Sequence, residues 1–205
     1  NSAEAHYLLA VVARRAGRMD EFPGPLRRAA ELGWSEGDVM RQQWLAAAQQ
    51  GSVEDVRRQL LQIVESGCSD EEAEEVYEAF TKGYLRTYRL PDAWLSVSYW
   101  LEWRPDAVQA RIMRARIYEQ QGKREEGMDD YRAVLRVFPN HREARVRLAQ
   151  SLVVRERNDE ALAEFQVCLA MAPEDPDALL GAAQCLRRMG DTAESRRYLE
   201  AAILV

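Results

Sequence analysis

The sequence contains few of the residues that break helices or build catalytic and metal sites. Among its 205 residues there are only 11 glycines, 7 prolines, 3 cysteines and 2 histidines. β-Rich proteins need more glycine and proline for their turns, so this composition indicates an all-α chain. The cysteines have no paired short spacing, and His6 and His141 have no second ligand one helical turn away. We therefore expect neither a disulfide framework nor a metal site.

Other absences limit the function. No apolar run approaches the roughly 18 residues that cross a bilayer, so we expect a soluble, cytoplasmic chain without a membrane partner. No glycine-rich phosphate loop is present, and the G-x-S-x-G string at 33–37 is interpreted as a loop between helices. We therefore expect no cofactor and no enzymatic activity. The net charge of −6 argues against nucleic acid as a partner.

A regular spacing of turn residues runs through the chain. Pro105, Pro139 and Pro173 stand 34 residues apart, and so do Gly17 and Gly51. This period is the length of one helix–turn–helix unit, with glycine in the turn and proline after the second helix. A three-residue insertion near 69–71 precedes the third unit. The phase predicts six repeats: 3–36, 37–70, 74–107, 108–141, 142–175 and 176–205.

The predicted repeats share small and apolar positions. Small residues recur at positions 3 and 8, where paired helices approach closely. In the first repeat, Pro23 and Pro25 predict an interrupted start of the second helix. The third repeat is rich in aromatic residues, which helical spacing assigns mostly to the core, with Trp94 or Trp103 as candidates for an exposed contact. Position 24 is expected to supply the apolar knob of each second helix: Leu26, Leu60, Val97, Tyr131, Phe165 and Leu199.

Over nearly its whole length the sequence resembles the tetratricopeptide repeat (TPR) family, in particular large bacterial TPR array proteins. The resemblance implies an all-α, right-handed α-α superhelix of about six repeats, a single solenoid over 1–205, with a concave face that binds partners. The fifth repeat matches the family signature best, and the fourth adds to it. The residues that carry the resemblance are Ala144, Leu148, Ala149, Leu152, Ala161, Phe165 and Pro173, with Tyr118, Gly122, Tyr131 and Pro139.

In this family the first helix of each repeat lines the concave groove. Applied to this chain, positions 5, 6, 9, 12 and 13 hold two acidic residues, Glu78 and Glu119, against a large excess of basic ones. A positive groove is therefore expected inside an acidic protein, and concave walls would focus its field. The basic residues at these positions are Arg14, Arg15, Arg41, Lys82, Arg86, Arg116, Arg147, Arg187 and Arg188.

Two interpretations of these cations remain open. The groove could capture an acidic peptide or a free C-terminal carboxylate, because the guanidinium fork holds a carboxylate by two hydrogen bonds. Alternatively, the arginines pair with neighbouring carboxylates and only solvate a helix face. The candidate partner-binding residues are Arg41, Lys82, Arg86, Arg116, Gln120, Arg147 and Gln150.

The leading functional prediction is a non-catalytic scaffold that holds a protein or peptide partner, in particular an acidic one. A second hypothesis is a sensory or regulatory TPR domain of a larger signalling enzyme or transcription regulator, and a third is a repeat protein for RNA. We expect the sequence to be a piece of a longer protein. The apolar end 201–205 either continues into further structure or docks on a second copy of the chain.

Overall fold

The computed structural model describes residues 2–204, and the described residues form twelve α-helices joined by short loops, with no strand among them. Asn1 and Val205, which is the last residue of the predicted apolar end, lie outside the described residues. The helices are α1 Ala3–Arg15, α2 Pro23–Glu31, α3 Glu36–Gln49, α4 Val53–Glu65, α5 Asp70–Arg86, α6 Leu90–Trp103, α7 Val108–Gln120, α8 Arg124–Val137, α9 Arg142–Val154, α10 Asn158–Met171, α11 Pro176–Met189 and α12 Thr192–Ile203.

Local sequence explains where several helices begin. Ser69 and Glu72 form a capping box at the start of α5, where each side chain accepts a hydrogen bond from the other residue's backbone N–H. Asp175 caps α11 by accepting from the next residues' amides, with Pro176 at the first helical position. α2 begins at Pro23. It starts six residues after Gly17, whereas α4, α8 and α12 start two residues after the glycine of their turn. The expected interruption at the start of this helix is therefore found, and both prolines lie in its first turn, where no backbone N–H donor is needed.

The turns inside the helix pairs share one backbone conformation. Gly17, Gly51, Gly122 and Gly190 have positive φ angles, which glycine adopts without steric cost. The same turn of the fifth pair holds Glu156 at φ 60°, and that of the third holds Tyr88 at φ 56°. The geometry of the turn therefore recurs even where the glycine does not.

The prolines that stand 34 residues apart follow the second helices of their repeats: Pro105, Pro139 and Pro173. α6 ends at Trp103, α8 at Val137 and α10 at Met171, in each case two residues before the proline of that repeat. Proline has no N–H and disfavours helical geometry in the preceding residue, so each helix ends there.

The helices form two compact units. The first unit is Asn1–Pro105 and the second is Asp106–Val205. In the first unit the helices pack as the pairs α1–α2, α3–α4 and α5–α6, with α5 also against α3 and α4. In the second unit each helix from α7 to α12 packs on the next, and α9 also contacts α11. A single solenoid over the whole chain stays a prediction.

The predicted apolar knobs form part of each core. Leu26, Leu60, Val97, Tyr131 and Phe165 are buried to 2% exposure or less. The sixth, Leu199 on α12, is 41% exposed, so that part of the expectation is wrong. No helix after α12 is present among the described residues to cover it.

Candidate functional site

Two predicted groove cations of the first unit share one buried carboxylate. Arg14 is fully buried, its Nε donates to Gln42 Oε1 at 2.7 Å, and its Nη2 lies 3.1 Å from Glu75 Oε1. Arg15 donates from Nε to the same Glu75 oxygen at 2.9 Å. Burial lowers the pKa of Arg14, and the charge of Glu75 opposes that shift. Arg14 is therefore a structural residue and offers no charge to a ligand.

The other cations of the first unit are mostly paired as well. Arg41 forms ion pairs with Glu72 and, at 3.3 Å, with Asp38, and only 19% of its side chain is exposed. Lys82 Nζ lies 2.6 Å from Glu78 Oε1, one helical turn away. Most of the predicted groove cations of this unit are therefore neutralised by neighbouring carboxylates.

Arg86 differs from these cations. It is exposed, and no carboxylate of residues 2–204 lies within 4 Å of it. It is the one candidate of the first unit whose charge remains available among the described residues.

The second unit arranges its cations differently. Arg116 on α7 and Arg147 on α9 are half-buried, and no described carboxylate lies within 4 Å of either guanidinium. The nearby acid, Glu119, instead accepts hydrogen bonds from Ser151 Oγ at 2.8 Å and from the Tyr131 hydroxyl at 3.2 Å. These bonds tie α7, α8 and α9 together and leave both arginines without a partner carboxylate.

The charges of Glu119, Arg147 and Arg116 all affect the pKa of Tyr131. Burial, and then the charge of Glu119, raises the pKa of Tyr131, while Arg147 and Arg116 lower it. Both arginines are thus close enough to Tyr131 for their charges to be felt at its hydroxyl. The fold of the second unit therefore brings Arg116 and Arg147 to one region of the first-helix face. By the first-helix face we mean the surface carrying Arg116, Gln120, Arg147, Gln150, Gln184 and Arg188.

A cavity of about 400 Å³ lies between α9 and α11, and its lining begins at Gln150, one helical turn after Arg147 on α9. Its lining includes the predicted Gln150, together with Val154, Leu180, Gln184 and Arg188. Arg188 Nη1 donates to the Val153 carbonyl at 2.7 Å, near the end of α9. The cavity combines apolar side chains with amide and guanidinium groups and with the carboxylate of Asp177, which is ion-paired with Arg142 at 2.8 Å. Such a mixture suits an extended polypeptide segment.

Several residues that line this cavity are absent from the candidates predicted from the sequence. Gln184, Leu180 and Gly181 fall at groove positions 9, 5 and 6 of the last repeat, so the repeat phase could have found them. Gly181 lies so close to Phe165 that a Cβ atom there would come within 2.2 Å of the ring. Gln120 was predicted as a groove residue. It is the last residue of α7, is exposed and does not line the cavity.

Other kinds of site find little support among the described residues. No group of three or more His, Cys, Asp or Glu side chains in residues 2–204 has a metal-binding arrangement. His141 accepts a hydrogen bond from the Ala144 amide at 3.3 Å and so caps α9. No described helix has the length and apolar character needed to span a bilayer.

Family comparison agrees with this architecture. Two family models described as tetratricopeptide repeat match the chain, one at residues 1–36 and 112–176 and the other at 155–205. Together they cover more than half of the sequence. The chain belongs to the tetratricopeptide repeat family. No curated protein matches it.

Solved TPR structures have a similar fold. The thermophilic TPR protein TTC0263 of Thermus thermophilus is 20% identical, with a TM-score of 0.70 over 91% of this chain and 100% of that one. A MamA structure designated AMB-1 is 21% identical, with a TM-score of 0.62 over 80% of this chain and 88% of that one. At these identities the likeness concerns the fold alone. The expected all-α TPR fold class is confirmed.

Proposed function

We propose that this TPR protein is a non-catalytic scaffold that binds an acidic segment of a protein partner on the first-helix face of its second unit. TPR proteins in general serve as protein-interaction scaffolds, and the family is generally non-catalytic. The single observation that carries the proposal is that no carboxylate of residues 2–204 pairs with Arg116 or Arg147. In the first unit, by contrast, four of the five predicted groove cations are ion-paired.

Unpaired, half-buried guanidinium groups favour an anionic ligand. Water solvates a half-buried charge less well than an exposed one, so a carboxylate that approaches Arg116 or Arg147 replaces little hydration and gains a charge-assisted hydrogen bond. Glu119 reduces the local positive charge, but its hydrogen bonds to Tyr131 and Ser151 leave the arginine N–H groups available. The face therefore keeps a net positive charge.

The cavity that begins one helical turn after Arg147 on α9 is expected to hold the peptide in register. Gln150 and Gln184 supply amide groups for a peptide backbone, while Leu180 and Val154 offer apolar contact. We therefore expect an acidic side chain or C-terminal carboxylate at the arginines and an apolar side chain in the cavity. Arg41 and Lys82 are expected to contribute little, because each is already ion-paired.

The test uses charge reversal and a defined probe. Fluorescence anisotropy would measure binding of a labelled peptide that contains Asp, Glu and Leu and ends in a free carboxylate. Each lost charge-assisted hydrogen bond contributes about 1.5–3 kcal/mol, so the variant Arg116→Glu/Arg147→Glu should bind at least about 100-fold more weakly. Wild-type binding should also weaken as salt is raised.

The control makes the same charge change elsewhere in the same unit. Arg136 and Arg196 are exposed on second helices α8 and α12, without a described ion pair. Arg136→Glu/Arg196→Glu should leave the affinity within about twofold, because distant exposed charges are screened. Equal weakening in both variants would reduce the effect to overall charge, and unchanged binding by Arg116→Glu/Arg147→Glu would refute the proposed site.

A further inference from the structure

The first unit contains a cavity that none of the predicted groove residues lines. It has a volume of about 400 Å³ and lies where the end of α4, the start of α5 and the end of α6 meet. Three aromatic side chains and two carboxylates line it together with the smaller side chains of residues 64, 68 and 73; the aromatic residues are Tyr77, Tyr99 and Trp103, and the carboxylates are Asp70 and Glu102. No cationic side chain of the described residues lines this cavity.

The aromatic wall is partly open to solvent. Tyr99 is 52% exposed and Trp103 is 41% exposed, although large aromatic residues are usually more buried. The rings of Tyr77 and Trp103 lie 6.4 Å apart at 42°. Burial, and then the neighbouring Cys68 and Tyr99, raises the pKa of Tyr77. Its ring therefore remains a neutral phenol whose face attracts cations.

The carboxylates have no cation of their own. No described Lys, Arg or His nitrogen lies within 4 Å of Asp70 or Glu102. Asp70 begins α5, where the helix dipole already favours a negative charge. Glu102 is in the last turn of α6, where the dipole disfavours one. A bound cation would therefore relieve an unfavourable charge at Glu102.

The nearest basic group does not fill this role. Arg104 lies 5.9 Å from the ring centroid of Trp103, but its Nη1 is paired with Glu74 at 3.2 Å. Its charge is therefore balanced outside the cavity. The contact also indicates that the Trp103 ring accepts a positive group.

We propose that this cavity binds an organic ammonium ion, with the positive group among Tyr77, Tyr99 and Trp103 and its charge balanced by Glu102. Aromatic rings and one or two carboxylates are the groups that recognise quaternary or alkylated ammonium. A second cavity of about 280 Å³ shares Tyr77 and Tyr99, and its lining includes the apolar Leu61, Phe80 and Leu95 together with Arg57 and Asp92. We expect a hydrocarbon chain attached to the ammonium group to contact the apolar side chains of this second cavity.

The experiment compares a charged ligand with its uncharged isostere. Calorimetric titration of the whole chain would measure binding of choline, of dimethylbutanol as the neutral carbon isostere, of hexyltrimethylammonium and of a trimethyllysine peptide. We expect choline to bind more tightly than dimethylbutanol, and hexyltrimethylammonium more tightly than choline. The relative affinities of the peptide and the small amines would distinguish a protein ligand from a free metabolite.

Variants test whether the carboxylate and the ring act as proposed. Glu102→Gln keeps the shape of the side chain and should weaken choline binding about fivefold or more. Trp103→Leu should weaken it to a similar extent through loss of the ring face. The matched control is Glu200→Gln, which should change nothing, because Glu200 is exposed in the last turn of α12 and has no ion pair within residues 2–204.

Three results would overturn the proposal. If dimethylbutanol binds as tightly as choline, the positive charge does not contribute to binding and the cavity only accommodates apolar groups. If Glu102→Gln binds choline with the same affinity as Glu200→Gln, Glu102 does not balance the charge of the ligand. No binding of any ammonium probe up to its solubility limit would exclude the site. Because Glu102 is an exposed side chain, Glu102→Gln remains informative even if Trp103→Leu fails to fold.

Discussion

Glu75 of α5 should be among the most stabilising side chains of the first unit. Its Oε1 lies 3.1 Å from Arg14 Nη2 and 2.9 Å from Arg15 Nε, and the Arg14 side chain is completely buried. Arg14 Nη1 has no hydrogen-bond partner among the described residues. The substitution Glu75→Gln would keep the volume of the side chain but remove the ion-pair partner of the buried Arg14, whose charge would then be opposed only by the weaker effect of Glu78.

The magnitude follows from this burial. Removing one partner of a buried ion pair costs about 3–5 kcal/mol. We expect about 3 kcal/mol here, because Glu75 is 11% exposed and the amide oxygen of glutamine still accepts a hydrogen bond. For a unit of this size the urea m-value is about 1–3 kcal/mol/M, so the unfolding midpoint should fall by about 1–3 M.

Tryptophan fluorescence is the appropriate assay. All five tryptophans lie in the first unit, so their emission reports its unfolding separately from that of the second unit. Glu71→Gln is the matched control, because Glu71 is exposed in the first turn of the same helix and has no described ion pair. It should cost less than about 1 kcal/mol.

A rescue variant separates charge burial from packing. Arg14→Met in the Glu75→Gln background should recover part of the lost stability, because it removes the uncompensated charge while filling similar space. A cost below about 1 kcal/mol for Glu75→Gln, or a cost equal to that of Glu71→Gln, would refute the reasoning.

Two further predictions concern the turns and the C-terminal end. Glu156→Gly should raise the free energy of unfolding by about 0.5–1 kcal/mol in thermal melts followed by circular dichroism, because Glu156 has φ 60° in a turn where other repeats have glycine; a lower melting temperature would contradict this. Light scattering over a concentration series should detect self-association, because Leu199, Ile203 and Leu204 are 41%, 82% and 88% exposed. Leu199→Lys/Ile203→Lys should abolish it, and a wild-type monomer at every concentration would exclude it.

The candidate site was only partly predictable from sequence. Position within the repeat placed Arg116 and Arg147 on first helices, but it placed Arg14 and Arg41 there by the same logic. What separates them is the position of acids on neighbouring helices. Glu75 and Glu72 of α5 reach Arg14 and Arg41 from residues 61 and 31 positions away in the chain. No local pattern records such a pairing.

The aromatic cavity illustrates the same limit. Helical spacing indicated that most aromatic residues of the third repeat are core, and Phe80, Tyr84 and Trp100 are indeed buried. Tyr99 and Trp103 lie one helical turn apart and are exposed, which agrees with the prediction that Trp103 could make an outward contact. Their meeting with Asp70 and Tyr77 depends on how α6 packs against α5.

The sequence alone was sufficient for the all-α class and the TPR family, because the composition and the 34-residue period can be seen along the chain itself. It was also sufficient for the places where helices end, because helix caps and prolines act within a few residues of the chain. Tertiary structure decided which basic side chains remain available to a ligand, because a charge is neutralised or left free by whichever helix packs beside it. It also decided where rings and carboxylates line a cavity. These properties arise from contacts between distant segments, and the repeat period is the same whether such contacts form or not.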